Sequence, residues 1–133
     1  EKEAGAENLW QAPTGVPEVE ISLPLMLTQV NKRKLSLPKV VSIMAEVPAR
    51  EYGIFPTKGA LQVGSDADVV IVDMAKEGNV DDAKLVTAPK YSAFGGIQLI
   101  GIPVMTLLRG EVVMDEGSIT TAPVRGSLVK PRR

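Results

Sequence analysis

Helix-period and strand-period segments do not interleave in this chain; they change over once, near Pro56. Before that point apolar residues recur three and four apart. After it they run in β-branched strings bounded by Gly and Asp. A doubly wound parallel sheet needs the two kinds of segment interleaved, so the order of segments predicts α+β, or pieces of two separate domains. Val19, Leu23, Met26, Leu27 and Val30 form one stripe, which predicts a helix capped by Ser22 with Pro24 in its first turn. Ser36 opens a second helix, with Pro38 in the first turn and Leu37, Val40, Val41, Met44 and Ala45 as its apolar face. Pro48 disfavours helix at Val47, so a separate third helix is expected from Pro48 to Tyr52, closed by Gly53.

Beyond Pro56 the sequence predicts a short strand at 60–63, a turn at Gly64-Ser65-Asp66 and a strand over 67–73. The run Val69-Val70-Ile71-Val72 reads as buried on both faces. Residues 75–96 read as mostly irregular, with a helical turn around Val80 to Leu85. Strands over 101–108 and 111–115 meet in a hairpin at Arg109-Gly110, and a last strand over 118–121 follows Glu116-Gly117. The tail from Ala122 reads as extended. No strands lie among the helices to cover their wide apolar faces, so a partner segment is expected.

The 133 residues suffice for one domain of ordinary size. A net charge of −1 offers no field for nucleic acid or an anionic membrane. No apolar run approaches the ~20 residues of a membrane span. With no Cys the chain has neither disulfides nor thiolate metal sites, which fits a cytoplasmic protein. The absence of His constrains function more, because His is the commonest metal ligand and the usual acid or base near neutral pH. Only carboxylates remain as zinc ligands, and they make a poor site. The chain opens at Glu1, without an initiator Met, and reads as the middle of a longer gene product.

Candidate chemistry is sparse. Asp66 and Asp68 read as a turn Asp and a strand-entry Asp that bonds backbone N–H groups. Asp81-Asp82 reads as a helix cap, and Trp10 as an anchor of its loop on a core. Tyr91 and Phe94 read as core or interface residues. Ser92 and Ser127 have no general base near in sequence. Lys58 is a nucleophile only if desolvated, and otherwise an exposed turn residue. The residues by themselves give a soluble α+β domain, or pieces of two, with no identifiable catalytic residue.

The order of short motifs resembles the C-terminal end of the cyclic amidohydrolases, the family of dihydroorotases, hydantoinases and allantoinases. Gly15-Val16-Pro17-Glu18-Val19-Glu20 followed by Leu23-Pro24-Leu25 is similar to a Gly-x-x-Gly-x-Glu loop running into Leu-Pro-Leu. Val47-Pro48-Ala49 with Tyr52-Gly53-Ile54 resembles an Asn-Pro-Ala helix start ending at Phe-Gly-Leu. The segment from Lys58 to Val70 matches Lys-Gly-x-Ile-x-x-Gly-x-Asp-Ala-Asp-Leu-Val. Ser92-Ala93-Phe94-Gly95-Gly96 is similar to Ser-Pro-Phe-x-Gly, and Thr106 to Val113 to Thr-x-x-Arg-Gly-x-x-Val. Three positions depart: Glu18 stands for a Gly, Val47 for an Asn and Ala93 for a Pro.

The resemblance implies a (β/α)8 barrel with a small β-sandwich. Residues 1–57 would be the end of the barrel, 58–121 a sandwich portion and 122–133 an extended tail. It further implies one or two zinc ions per active site, held by His, a carboxylated Lys and an Asp upstream, with no metal ligand and no catalytic residue in this chain. The implied partners are that upstream barrel segment, a small cyclic amide and further copies of the protein. Thr14 and Gly15 are the substrate-binding residues it implies, Thr14 through its main chain. A non-catalytic dihydroorotase-like binding or assembly module is the alternative. A small enzyme relying on carboxylates or Lys58 is a third.

Overall fold

The computed structural model describes residues 8–11, 15–16, 18–88, 90–120 and 126–131. A 3-10 turn, Leu9–Gln11, precedes three helices, α1 (Val19–Asn31), α2 (Leu37–Val41) and α3 (Val47–Glu51), the last two joined by a π turn, Ser42–Glu46. Four strands follow, β1 (Val69–Asn79), β2 (Gln98–Leu108), β3 (Glu111–Asp115) and β4 (Ser118–Ile119), in one antiparallel meander. Both short hairpins have positive φ at both central residues: Arg109 (50°) with Gly110 (84°), and Glu116 (44°) with Gly117 (79°). That backbone matches the right-handed twist of the flanking strands, as the sequence anticipates at Arg109-Gly110.

Helix α1 starts earlier than its stripe suggests. Glu18 is the N-cap residue, and Ser22 is not a cap; its hydroxyl donates to Val19 O (3.1 Å). Pro24 accordingly falls in the second turn, where its carbonyl accepts the Thr28 hydroxyl (2.8 Å). The buried stripe is Ile21, Pro24, Leu27 and Thr28, and Val19 is 93% exposed. Apolar residues surround most of this helix, so periodicity alone did not fix which side faces the sheet.

The expected break at Val47 does not occur. Val47 is helical (φ −60°, ψ −50°), and its N–H donates to Ser42 O, five residues back. The wider π turn shifts the hydrogen-bond ladder just where Pro48 has no N–H to contribute. Ser36 caps α2 as expected, its hydroxyl accepting Lys39 N (3.3 Å). Gly53 (φ 67°) closes α3, with Gly53 N bonded to Arg50 O (3.0 Å) and Ile54 N to Ala49 O (2.9 Å).

One helix face is covered within the chain, contrary to the expectation of uncovered helices. α1 lies on β2, and Ile21, Val80, Leu85 and Leu99 form a buried cluster flanked by Leu25 and Ile102. The close approach requires Gly101 (φ 97°), where a Cβ would lie 2.9 Å from Leu27 Cβ. Polar side chains bond across the same contact. The Thr28 hydroxyl accepts Ile100 N (2.9 Å), and the Asn31 amide donates to Ile100 O (3.0 Å) and Met74 O (3.1 Å).

Strand β1 runs past the expected end at residue 73, and its pairing with β2 shifts register between Ile71 and Val72 and between Asp73 and Glu77. Pro103, which has no N–H for a ladder, pairs with Val72 beside the first shift. At the second, the Asp73 carboxylate accepts Ala75 N (2.9 Å) and Lys76 N (3.1 Å). β1 is the edge of the described sheet, and Val70 and Ile71 are 45% and 47% exposed, so the expected burial on both faces is not achieved here. Residues 60–63 are not a strand, and Trp10, at 95% exposure, anchors no core. The expected turn at 80–85 is a 3-10 turn, Asp82–Lys84, with Asp81 accepting Ala83 N (3.1 Å).

Candidate functional site

Of the two substrate-binding residues suggested by the sequence, Thr14 lies outside the described residues. Gly15 is exposed with φ 81°, and nothing lies within 4 Å of where a Cβ would sit. The backbone here can meet a ligand without a side chain in the way. Glu18 N donates to Val16 O (3.0 Å), and at the start of α1 Glu18 O accepts Ser22 N (2.9 Å).

Two carboxylates at the start of α1 tie this loop to a distant segment. Glu18 Oε1 accepts Ala93 N (2.9 Å), and Oε2 accepts the Ser92 hydroxyl (3.1 Å). Ser92, only 5% exposed, in turn accepts Phe94 N (2.9 Å) at its Oγ. Glu20 Oε2 accepts Val86 N (3.0 Å) and Thr87 N (3.2 Å). Negative charge at a helix N-terminus is favoured by the helix dipole, and charge-assisted bonds to N–H groups are among the stronger kind. Glu18 and Ala93, two of the three departures from the family pattern, thus touch one another. A Pro at 93 would have no N–H for Glu18 to accept. Ser92 is buried and committed at both ends, which removes it as a nucleophile.

Lys58 is not the exposed turn residue that the sequence suggests. Its side chain is 18% exposed, with Nζ 2.8 Å from Asp66 Oδ2 and also bonded to Asp68 Oδ2. Bonds to Asp66 and Asp68 raise its pKa above the ordinary lysine value, outweighing burial. Burial by itself would raise Asp68, but the Lys58 ammonium and the Arg109 N–H (2.8 Å to Oδ1) outweigh it and hold that carboxyl below its usual value. An ammonium held protonated is no nucleophile. The cluster fastens the 57–68 loop to the β2–β3 hairpin, and Asp68 has the backbone-bonding role expected of it.

The residues present do not fit a zinc centre. The chain has no His and no Cys, and no three metal-binding side chains gather among the described residues. The Asp66–Asp68 pair already holds a lysine. No metal-assisted step can be assigned to these side chains. Glu18 and Glu20 escaped sequence reasoning because their partners lie 66 to 75 residues away.

Residues 14–113 match the sequence model of the amidohydrolase family. The chain is 44% identical over 133 residues to an L-hydantoinase of Paenarthrobacter aurescens, covering 99% of this chain and 29% of that protein. It is 36% identical over 113 residues to a dihydroorotase of Methanothermobacter thermautotrophicus, covering 85% of this chain and 26% of that one. The structure of an L-hydantoinase from Arthrobacter aurescens superposes with a TM-score of 0.83 at 45% identity, covering 90% of this chain and 27% of its own. A D-hydantoinase from Thermus sp. gives 0.90 at 29% identity, covering 98% and 29%. The chain therefore spans under a third of the length of these relatives.

Proposed function

The chain belongs to the amidohydrolase family, and on that premise we propose that it is the C-terminal portion of a cytoplasmic, metal-dependent hydrolase that opens cyclic amides. The observation that carries this reading is 44% identity along the whole chain to an L-hydantoinase of which it spans 29%. In this reading the one or two zinc ions, their His ligands and the proton-accepting Asp belong to parts of the protein outside these 133 residues. The ions would supply an activated hydroxide at the barrel mouth. What this chain adds is the loop at Thr14 and Gly15, which meets the ring amide through main-chain groups, and the structure behind it.

Residues 1–57 then close the barrel, 58–121 contribute strands of a sandwich and 122–133 form a tail. Two apolar grooves support a covering segment from the same protein. One, of about 700 Å³, lies among Leu23, Val40, Met44, Ala49 and Val70. The other, of about 720 Å³, lies among Val19, Pro24, Ile102, Val113 and Ile119. Both are lined mainly by apolar side chains, which such a segment would cover. Among the described residues no helix is long and apolar enough to cross a membrane. Further copies of the protein are expected to associate with it as a homo-oligomer.

The test is to express the complete gene product and measure bound metal together with ring opening of hydantoin, dihydroorotate and allantoin. Zinc at one or two per protomer, with turnover abolished by chelation, is the expected result. A folded full-length protein that binds no metal and opens none of the three rings would instead be a non-catalytic binding or assembly module.

A further inference from the structure

We infer that Glu18 is a positioning residue for the substrate loop, acting through Ser92 and Ala93; this rests on the reading that residues 14 and 15 face the cyclic amide. The path is continuous. Gly15 and Val16 are bound to Glu18 through the bond from Glu18 N to Val16 O (3.0 Å). The Glu18 carboxylate grips Ala93 N (2.9 Å) and the hydroxyl of the buried Ser92 (3.1 Å). The 92–97 turn is itself fixed to the core: Gly96 N donates to Val80 O (2.8 Å), Val80 N donates to Ile97 O (2.9 Å), and Val80 is 3% exposed. Glu18, three residues after the exposed glycine, is thereby tied to the buried Val80 through a contact 75 residues away in the chain.

The contact needs both residues. An N–H at 93 with Gly at 18 would lack this acceptor, and a carboxylate at 18 with Pro at 93 would lack its donor. Glu20, whose carboxylate holds Val86 and Thr87, anchors the helix but lies beyond the turn. Glu18 is the residue whose own backbone closes the loop. A site that binds through main-chain atoms has no side chain to readjust, so loop position translates directly into substrate affinity.

The test uses the complete protein, with kinetics on whichever of hydantoin, dihydroorotate or allantoin the wild type opens fastest, and variants Glu18→Ala, Glu18→Gln and Ala93→Pro. Loss of binding shared by ground and transition states raises KM, so Glu18→Ala is expected to raise KM about tenfold and to change kcat by less than about threefold. Glu18→Gln keeps a carbonyl acceptor for Ala93 N–H and should recover part of that loss. Ala93→Pro should mimic Glu18→Ala, and adding Glu18→Ala to it should change KM by less than about twofold, because contacting residues are not additive. Amide exchange should quicken in the peptide spanning residues 15–23 of Glu18→Ala and stay unchanged in α2 and α3. Unchanged KM in Glu18→Ala, or KM effects of the two sites that multiply independently, would overturn the positioning role while leaving the proposed activity intact. Lower kcat at constant KM, with exchange rising throughout the chain, would overturn it in favour of a purely structural role. A wild type that opens no cyclic amide overturns the premise, and with it this role.

Discussion

Replacing Gly101 by Ala tests the contact that joins the helical half of the chain to the sheet. Two costs arise there, and the geometry separates them. The backbone at φ 97° is one that side-chain-bearing residues rarely adopt, a strain of about 1–3 kcal/mol. The new Cβ would also sit 2.9 Å from Leu27 Cβ and 3.2 Å from Asn31 Nδ2. Carbon atoms in good contact lie roughly 3.5–4.0 Å apart, so α1 must recede by about 0.5–1 Å, and overpacking of this kind costs about 1–3 kcal/mol. That movement also lengthens the bonds of Ile100 to Thr28 (2.9 Å) and to Asn31 (3.0 Å). The sum, about 2–6 kcal/mol, is a large part of a typical domain's stability.

Gly117→Ala is the control, because Gly117 has φ 79° with nothing within 4 Å of the new Cβ, so only the backbone cost applies. Chemical denaturation of the complete protein gives the unfolding free energy of each variant, a readout that senses strain at either position. Gly101→Ala should lower it by about 1–3 kcal/mol more than Gly117→Ala does, the margin due to overpacking. Equal losses in the two variants would refute the claim that α1 rests directly on the Gly101 backbone.

Three further outcomes are expected. Leu27→Ala, at a side chain 1% exposed, should cost about 2–5 kcal/mol in chemical denaturation, through lost burial and the cavity left behind. Ser36→Ala should cost about 1 kcal/mol by removing the acceptor for Lys39 N, while Ser36→Asp should retain most of it; helicity of the two variants by circular dichroism checks this. The Lys58 cluster sets a pH window. Asp68 is depressed, so its contribution is present above about pH 4 and is lost as pH falls through its folded value. Lys58 is raised, so its contribution is complete below about pH 10.4 and is lost as pH rises through its folded value. Denaturation midpoints of wild type and Lys58→Met should therefore differ most between these limits and converge at both extremes; a constant difference would refute the assignment.

The hairpin at Arg109-Gly110, the Ser36 cap, the Gly53 stop and the turn at 80–85 were all legible because each depends on residues within a few positions of one another. The α+β order was legible for the same reason, since period is a local property. Where local rules compete, reading the sequence went astray. Pro48 gave a break that a π turn absorbs, and the all-round apolar character of α1 hid which side meets β2. The β-branched run at 69–72 correctly signalled a strand but not its exposure. A periodic pattern states what a segment would bury, not whether the cover lies in the same chain.

The sequence by itself determined the helix-then-strand order, the family and the absence of imidazole and thiol ligands from these 133 residues, since all of these are properties of composition or of short contiguous motifs. Only the tertiary structure decided that Lys58 is held by two carboxylates, that Gly101 admits Leu27, and that Glu18 reaches Ala93. Each of these joins residues between eight and 75 positions apart, and such meetings are fixed by how the chain packs, which no local propensity encodes.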